Sequence, residues 1–141
     1  MNQFSLIYPM LAMVVLTFTV LIMLFKNRVQ SVLKGEISPF YYKRYQGEGD
    51  PDKSLKLSQH VANIFEAPTL FYVVCLAAMI ISEQSMLFLS LAWIYVSMHA
   101  AHAYIHIGSN KLKRRIVIYF TGWLVLLLMW ACLVIKIDLL S

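Results

Sequence analysis

Residues 60–81 read HVANIFEAPTLFYVVCLAAMII, and this stretch decides the fold. It is long and apolar enough to form a helix across a hydrocarbon core about 30 Å thick, which takes about 20 residues. The stretch contains one acid, Glu66, and neither Lys nor Arg. A carboxyl group inside a membrane helix costs about 2.5–3.5 kcal/mol on insertion scales. We therefore expect Glu66 to have a partner or a ligand.

Three interpretations of Glu66 remain open on the sequence. Its carboxylate pairs with a cation, such as Arg115 or the amine of a ligand. It is protonated and hydrogen-bonded inside a dry helix bundle. Or it is a structural partner of Asn63 across an interface between subunits. Each of the three keeps the side chain away from lipid.

Three further apolar runs flank this one, at residues 5–25, 86–105 and 116–135. The chain is 60% hydrophobic and only 13% charged, whereas a soluble domain carries about 25% charged residues. The four runs predict an all-α integral membrane protein, in which one transmembrane domain over residues 1–141 forms a four-helix bundle.

The basic residues predict the orientation of the spans. Of the twelve Lys and Arg residues, seven lie between the first two runs and four between the last two. Such asymmetry is the positive-inside pattern. It predicts that the loop at residues 27–58 and the second basic loop are cytoplasmic and that both termini are outside. The same distribution explains the net charge of +5 by topology, so we expect membrane lipid as a partner and no nucleic acid.

Polar side chains fall in the cytoplasmic half of each of the last three spans. On a helix, His60 and Asn63 share a face, and Glu66 lies about 60° to one side of Asn63. The polar residues of the three spans are, in chain order, His60, Asn63, Glu66, His99, His102, His106, Arg115 and Tyr119. We expect them to form one polar layer near the cytoplasmic surface.

Arg115 opens the fourth span, and two roles are open for it. An anion beside the N-terminus of a helix is stabilised by the helix dipole, and a guanidinium at the same place adds to that effect. A thiol with a pKa near ~8.5 would be shifted towards thiolate there, which makes it a nucleophile. Alternatively, Arg115 only fixes the topology and contacts lipid phosphates.

The segment around Asn63 resembles the MAPEG family, the membrane-associated proteins of eicosanoid and glutathione metabolism. Asn63 and Glu66 match the family's Asn-x-x-Glu segment, and Pro68 follows the Glu as it does there. Downstream, the spacing of His102, Gly108, Arg115 and Tyr119 is similar to that of the prostaglandin E synthase branch. The resemblance covers most of the chain between residues 50 and 119.

This resemblance implies a homotrimer that binds glutathione between neighbouring subunits on the cytoplasmic side. It also implies transfer or peroxidase chemistry on a lipophilic electrophile that reaches the thiol from the bilayer.

The resemblance also implies roles for particular residues. Asn63 and Glu66 would hold the peptide part of glutathione, and His102 would line the same pocket. Arg115 would stabilise the thiolate, with Tyr119 supporting it. His60 is a further cofactor-binding candidate, and either Lys26 or Arg28 would supply a cation from the first span.

Two alternative functions accompany this hypothesis. Gln59 and Ala62 stand where active members or the prostaglandin branch carry Arg, which favours a non-catalytic lipid-binding or scaffold protein of the same fold. The histidines favour a haem-binding electron-transfer protein, with His60 and His102 as axial ligands. Because no Cys or Asp accompanies the histidines, the sequence does not predict a zinc or other metal-ion site.

Overall fold

A computed structural model describes residues 4–44, 49–83 and 85–139, with the backbone alone for Arg44. The helices are α1 Ile7–Leu33, α2 Pro39–Arg44, α3 Asp52–Ile80, α4 Met86–Ile107 and α5 Leu112–Asp138. All but α2 are long and apolar enough to cross a membrane. No strand occurs among the described residues. The prediction of an all-α four-helix membrane protein is confirmed.

The first two long helices extend well beyond the predicted spans. The helix α1 runs to Leu33, past the predicted end at residue 25, and α3 begins at Asp52 rather than at residue 60. Polar groups join these extensions, since the Asn27 amide donates to Ser54 Oγ at 2.6 Å. The predicted loop at 27–58 is therefore largely helical where it is described, while residues 45–48 lie outside the described residues.

The core lies where the four long helices meet. Phe71 of α3 stacks on Tyr95 of α4, with ring centroids 4.5 Å apart, and neither side chain is more than 1% exposed. Met13 of α1 and Met129 of α5 are fully buried beside them. Close packing of this kind fixes the rotation of each helix about its axis, and so determines which polar residues face one another.

A tight connection between α4 and α5 positions the candidate site. The two helices make the most extensive packing contact in the described structure, and only residues 108–111 join them. Because the helices are antiparallel, the last turns of α4 lie beside the first turns of α5. The helix α3 packs against both of them.

Candidate functional site

A cavity of about 410 Å³ opens between α3, α4 and α5. Sites for small molecules usually have volumes of about 300–1,000 Å³. The lining is mostly polar, unlike the lipid-facing surface of the same helices. The lining residues are Gln59, Asn63, His102, His106, Arg115, Ile116 and Tyr119.

Three pairs of residues, each four positions apart, supply the polar lining. Residues i and i+4 lie on the same face of a helix, one turn apart. Each helix therefore contributes two polar side chains one above the other. The pairs are Gln59 with Asn63 on α3, His102 with His106 on α4, and Arg115 with Tyr119 on α5.

Arg115 is held in place by two contacts. Its Nη1 donates to Asn110 Oδ1 at 2.9 Å and lies 3.5 Å from His106 Nε2. Asn110 lies in the connection and has a φ of 46°, a left-handed conformation that Asn adopts more readily than most residues. The guanidinium is half-buried, whereas the side chain of the preceding Arg114 is exposed. Arg115 is thus a positioned cation in the first turn of α5.

His102 and Tyr119 form the part of the wall further from the connection. Their ring centroids lie 5.2 Å apart, and His102 is only 3% exposed. Four of the predicted site residues, Asn63, His102, Arg115 and Tyr119, therefore line one cavity within a single chain.

Glu66 does not join this cavity. It lies at the midpoint of the 29-residue helix α3, and its side chain is exposed on the surface of the chain. The 60° offset from Asn63 is enough to turn it away from α4 and α5. Within the described part of the chain, its carboxylate has no hydrogen bond or ion pair. The expectation that Glu66 shares a cavity with Asn63, His102 and Arg115 is not met inside one chain.

Arg28 is also separate from the cavity. Its Nη2 pairs with Asp50 Oδ2 at 3.2 Å and donates to Ser58 Oγ at 2.9 Å. The guanidinium also lies 4.9 Å from the centre of the Tyr42 ring. Lys26, the alternative cation of α1, is exposed and does not line the cavity either. Arg28 thus links α1 to the start of α3 through an ion pair and a hydrogen bond.

Tyr42 also contacts Asp50, the partner of Arg28. Its hydroxyl donates to Asp50 Oδ1 at 2.7 Å. Burial, together with the hydrogen bond and the negative charge of Asp50, raises the pKa of Tyr42 to about 12. The hydroxyl therefore remains a hydrogen-bond donor at any physiological pH.

His60 lies behind the cavity rather than on its wall. It is fully buried, with its ring centroid 5.4 Å from that of His102 and 5.2 Å from that of His106. It can reach a bound molecule only through these two histidines.

Sequence reasoning gave no binding role to three residues of this region. Gln59 and His106 could have been found from their i, i+4 spacing to Asn63 and His102. Asn110 gave no signal in the sequence, because its role depends on the path of the connection between α4 and α5.

Four helices that are long and apolar enough to span a membrane, with a polar cavity between three of them, define an integral membrane protein with a candidate binding site inside the bundle. A comparison with protein families identifies the group. The model of the MAPEG family matches residues 6–135, which is nearly the whole chain, so the protein belongs to the MAPEG family. No curated protein and no solved structure matches the chain.

Proposed function

We propose that this protein is a glutathione-dependent transferase or peroxidase that acts on a lipophilic electrophile and binds glutathione in the cavity. The observation that carries the proposal is the convergence of Asn63, His102, Arg115 and Tyr119 on one cavity. Membership of the MAPEG family supports a glutathione-related function in a membrane.

Arg115 supplies the activation of the thiol. Its guanidinium and the N-terminus of α5 both favour an anion in the cavity, and a free thiol has a pKa of about 8.5. Glutathione bound there would carry a larger thiolate fraction at neutral pH. The thiolate sulfur attacks an electrophilic carbon and forms a C–S bond, and the leaving group departs with the electrons of the broken bond. Tyr119, one turn along α5, supports the thiolate as a hydrogen-bond donor.

The α3 and α4 walls recognise the peptide part of glutathione. Gln59 and Asn63 present amide groups, which donate to carboxylates and accept from an ammonium group. His102 lies opposite them and orients the ligand. Arg115 is the single cation among the described residues that line the cavity, so amide groups must bind at least one of the two glutathione carboxylates.

We further propose a homotrimer in which Glu66 faces a neighbouring protomer. An exposed carboxylate at mid-helix would otherwise contact lipid, at a cost of about 2.5–3.5 kcal/mol. A cation of a neighbouring subunit, or the amine of glutathione that extends from the cavity to the interface between subunits, would remove that cost. The Glu66→Gln variant should accordingly lose trimer stability or affinity for glutathione; if both are unchanged, this part of the proposal fails.

We also propose that the cavity lies near the cytoplasmic side of the membrane. The cavity lies next to the basic segment at residues 111–115, and basic segments favour the cytoplasmic side. In this proposed orientation the site lies on the cytoplasmic side, with both termini outside. Cysteine-accessibility labelling of Ser109→Cys in intact cells tests the orientation, since a cytoplasmic position 109 is shielded from an impermeant reagent.

A second candidate is a non-catalytic lipid-binding or scaffold protein. One observation favours it: a cavity with a single described cation suits one lipid phosphate better than a molecule with two carboxylates. In that case, phospholipid would remain with the purified protein, and glutathione would not change its thermal stability.

The test compares two arginines that are adjacent in sequence. We expect purified wild-type protein in lipid nanodiscs to conjugate glutathione to chlorodinitrobenzene. Arg115→Ala should reduce kcat/KM by about 10- to 100-fold, because a hydrogen bond to a charged group contributes about 1.5–3 kcal/mol. Arg114→Ala removes the same charge from an exposed position and should leave kcat/KM within about twofold of wild type. Equal effects of the two substitutions, or no turnover by the wild type, would overturn the proposal.

A further inference from the structure

Four histidines meet in the interior of the bundle, although they come from two helices. His60 comes from α3, and the other three come from the C-terminal half of α4. The ring centroid of His60 lies 6.2, 5.4 and 5.2 Å from those of His99, His102 and His106, respectively. The exposed fractions are 0%, 6%, 3% and 2% in chain order. Such burial is unusual for four side chains that must each satisfy two ring nitrogens.

Most of these ring nitrogens have no hydrogen-bond partner within the described structure. Both nitrogens of His60, both nitrogens of His102 and Nδ1 of His106 are buried and unpaired. A buried polar atom without a partner costs about 1–3 kcal/mol. An occupant able to bind several imidazoles would therefore satisfy nitrogen atoms that the described protein atoms leave unpaired.

Three of the histidines have the arrangement of metal ligands. His60, His102 and His106 each offer a ring nitrogen, and these nitrogens lie within 4.8 Å of one another. Around a tetrahedral Zn²⁺ with Zn–N bonds of about 2.0–2.1 Å, neighbouring nitrogens are about 3.3 Å apart. Small rotations of the three side chains would bring their nitrogen atoms to that separation.

We propose that His60, His102 and His106 bind one divalent transition-metal ion, Zn²⁺ or another ion that prefers imidazole, at the inner wall of the cavity. Neutral imidazole is a ligand for zinc, copper, iron and nickel. The ring centroid of His60 lies 5.4 and 5.2 Å from those of His102 and His106, which leaves no room for a haem between these rings. A single ion fits this space where a macrocycle does not.

The positions of the three ligands also determine the direction in which a bound ion would have a free coordination position. His102 and His106 line the cavity, whereas His60 lies behind them. An ion bound by all three would have its free coordination position towards the cavity, as in zinc sites that keep one position for water or substrate.

The charges around the cluster are compatible with a metal-bound anion. Arg115 lies 3.5 Å from His106 Nε2, and its charge opposes a bare cation. An anion in the free coordination position, such as hydroxide or chloride, would lie between the ion and the guanidinium and offset both charges. His106 would then bind through Nδ1, its unpaired nitrogen.

The sequence does not predict this site, because no Cys or carboxylate accompanies the histidines at the usual spacing of a metal motif. The site arises only when α3 packs against α4 and brings His60 to the other two. It shares His102 with the proposed glutathione site but does not require bound glutathione, and the two proposals are tested separately.

The experiment measures metal binding without glutathione. Protein in nanodiscs is stripped with a chelator and titrated with Zn²⁺ by calorimetry and with Co²⁺ by visible absorption. We expect one ion per chain and a Co²⁺ spectrum typical of tetrahedral nitrogen ligands. His60→Gln, His102→Gln and His106→Gln should each abolish stoichiometric binding. His99→Gln is the matched control, since His99 is equally buried but lies outside the ligand trio, and it should retain one ion per chain.

Two further measurements test metal binding without a ligand variant and separate the metal proposal from the glutathione proposal. X-ray absorption of the Zn²⁺-loaded wild type should show imidazole nitrogens around the ion, which needs no variant that might misfold. Arg115→Ala should keep the stoichiometry while losing glutathione conjugation, so failure of one proposal is distinguishable from failure of the other. If the stripped wild type binds no ion, the cluster holds only ordered water and the proposal is overturned; binding that survives the ligand substitutions overturns it equally.

Discussion

Asn110 should control activity without contacting substrate, because its side chain holds Arg115. Asn110→Gly removes the oxygen that accepts from Nη1 at 2.9 Å. Glycine adopts a φ of 46° at no steric cost, so the connection keeps its path and the backbone bond from residue 110 to Ile105. The variant therefore isolates the loss of one positioning contact.

The size of the effect follows from this contact. A hydrogen bond to a charged group contributes about 1.5–3 kcal/mol, and the lower end applies here because Arg115 is half-buried. About 1.5 kcal/mol corresponds to about tenfold. We expect kcat/KM for glutathione to fall about tenfold in a conjugation assay, while the thermal unfolding midpoint changes little. Arg115 would sample other rotamers in the variant and spend less time beside the thiol.

Two controls separate positioning from loop flexibility. Ser109→Gly adds the same backbone freedom one residue earlier but leaves the amide of Asn110 in place, and it should behave like the wild type. Asn110→Asp keeps an acceptor oxygen and should hold Arg115 in place, but its negative charge opposes an anion in the cavity, so it should restore the activity only in part. If Asn110→Gly conjugates glutathione as efficiently as the wild type, or if Ser109→Gly is equally impaired, the positioning role is refuted.

Two further predictions concern stability. Asp50→Asn should lower the free energy of unfolding by about 2–3 kcal/mol, since it breaks a largely buried pair with Arg28 and weakens the bond from Tyr42; thermal unfolding in detergent measures this, and an unchanged midpoint would contradict it. Although burial alone would raise the pKa of Glu83, hydrogen bonds from Ser85 and the charge of Lys136 at 3.8 Å hold it below its usual value. A lowered pKa means that the stabilisation is present above the ordinary value of 4.5 and is lost as the pH falls through the folded-state pKa. The difference in unfolding midpoint between wild type and Glu83→Gln should thus be largest at neutral pH and disappear in acid, and a constant difference would refute the assignment.

The existence of the four long helices could be predicted from hydropathy, but their ends could not. An apolar run marks the part of a helix that lies in hydrocarbon. The extensions of α1 and α3 are held by polar contacts such as that of Asn27 with Ser54. These contacts depend on how two helices pack, and no local pattern in the sequence reports them.

Part of the candidate site could also be predicted. The positions of Asn63, His102 and Arg115 along their helices indicated one polar layer, and the structure places all three around one cavity. Glu66 shares that depth but faces outward, because the rotation of α3 is fixed by buried apolar residues such as Phe71. Depth follows from position in a span, whereas direction follows from packing.

The convergence of the histidines illustrates the same limit. The spacing of His99, His102 and His106 places them along one side of α4, which the sequence shows. The approach of His60 from α3 to within 5.4 Å of the His102 ring depends on the contact between the two helices. The spacing of residues along one helix therefore predicts which of them share a face, but it does not predict which residues of another helix they contact.

We propose that the polar cavity between α3, α4 and α5 binds glutathione, and binding can be measured without any assay of catalysis. Calorimetric titration of glutathione into the protein in lipid nanodiscs, with wild type and Asn63→Leu side by side, tests it most directly. The leucine side chain has the same branching and the same number of heavy atoms as that of asparagine, but it neither donates nor accepts a hydrogen bond. We expect saturable binding to the wild type and at least about tenfold weaker binding to Asn63→Leu, with the same oligomeric state. Absence of saturable binding to the wild type, or equal affinity in the two proteins, would contradict it.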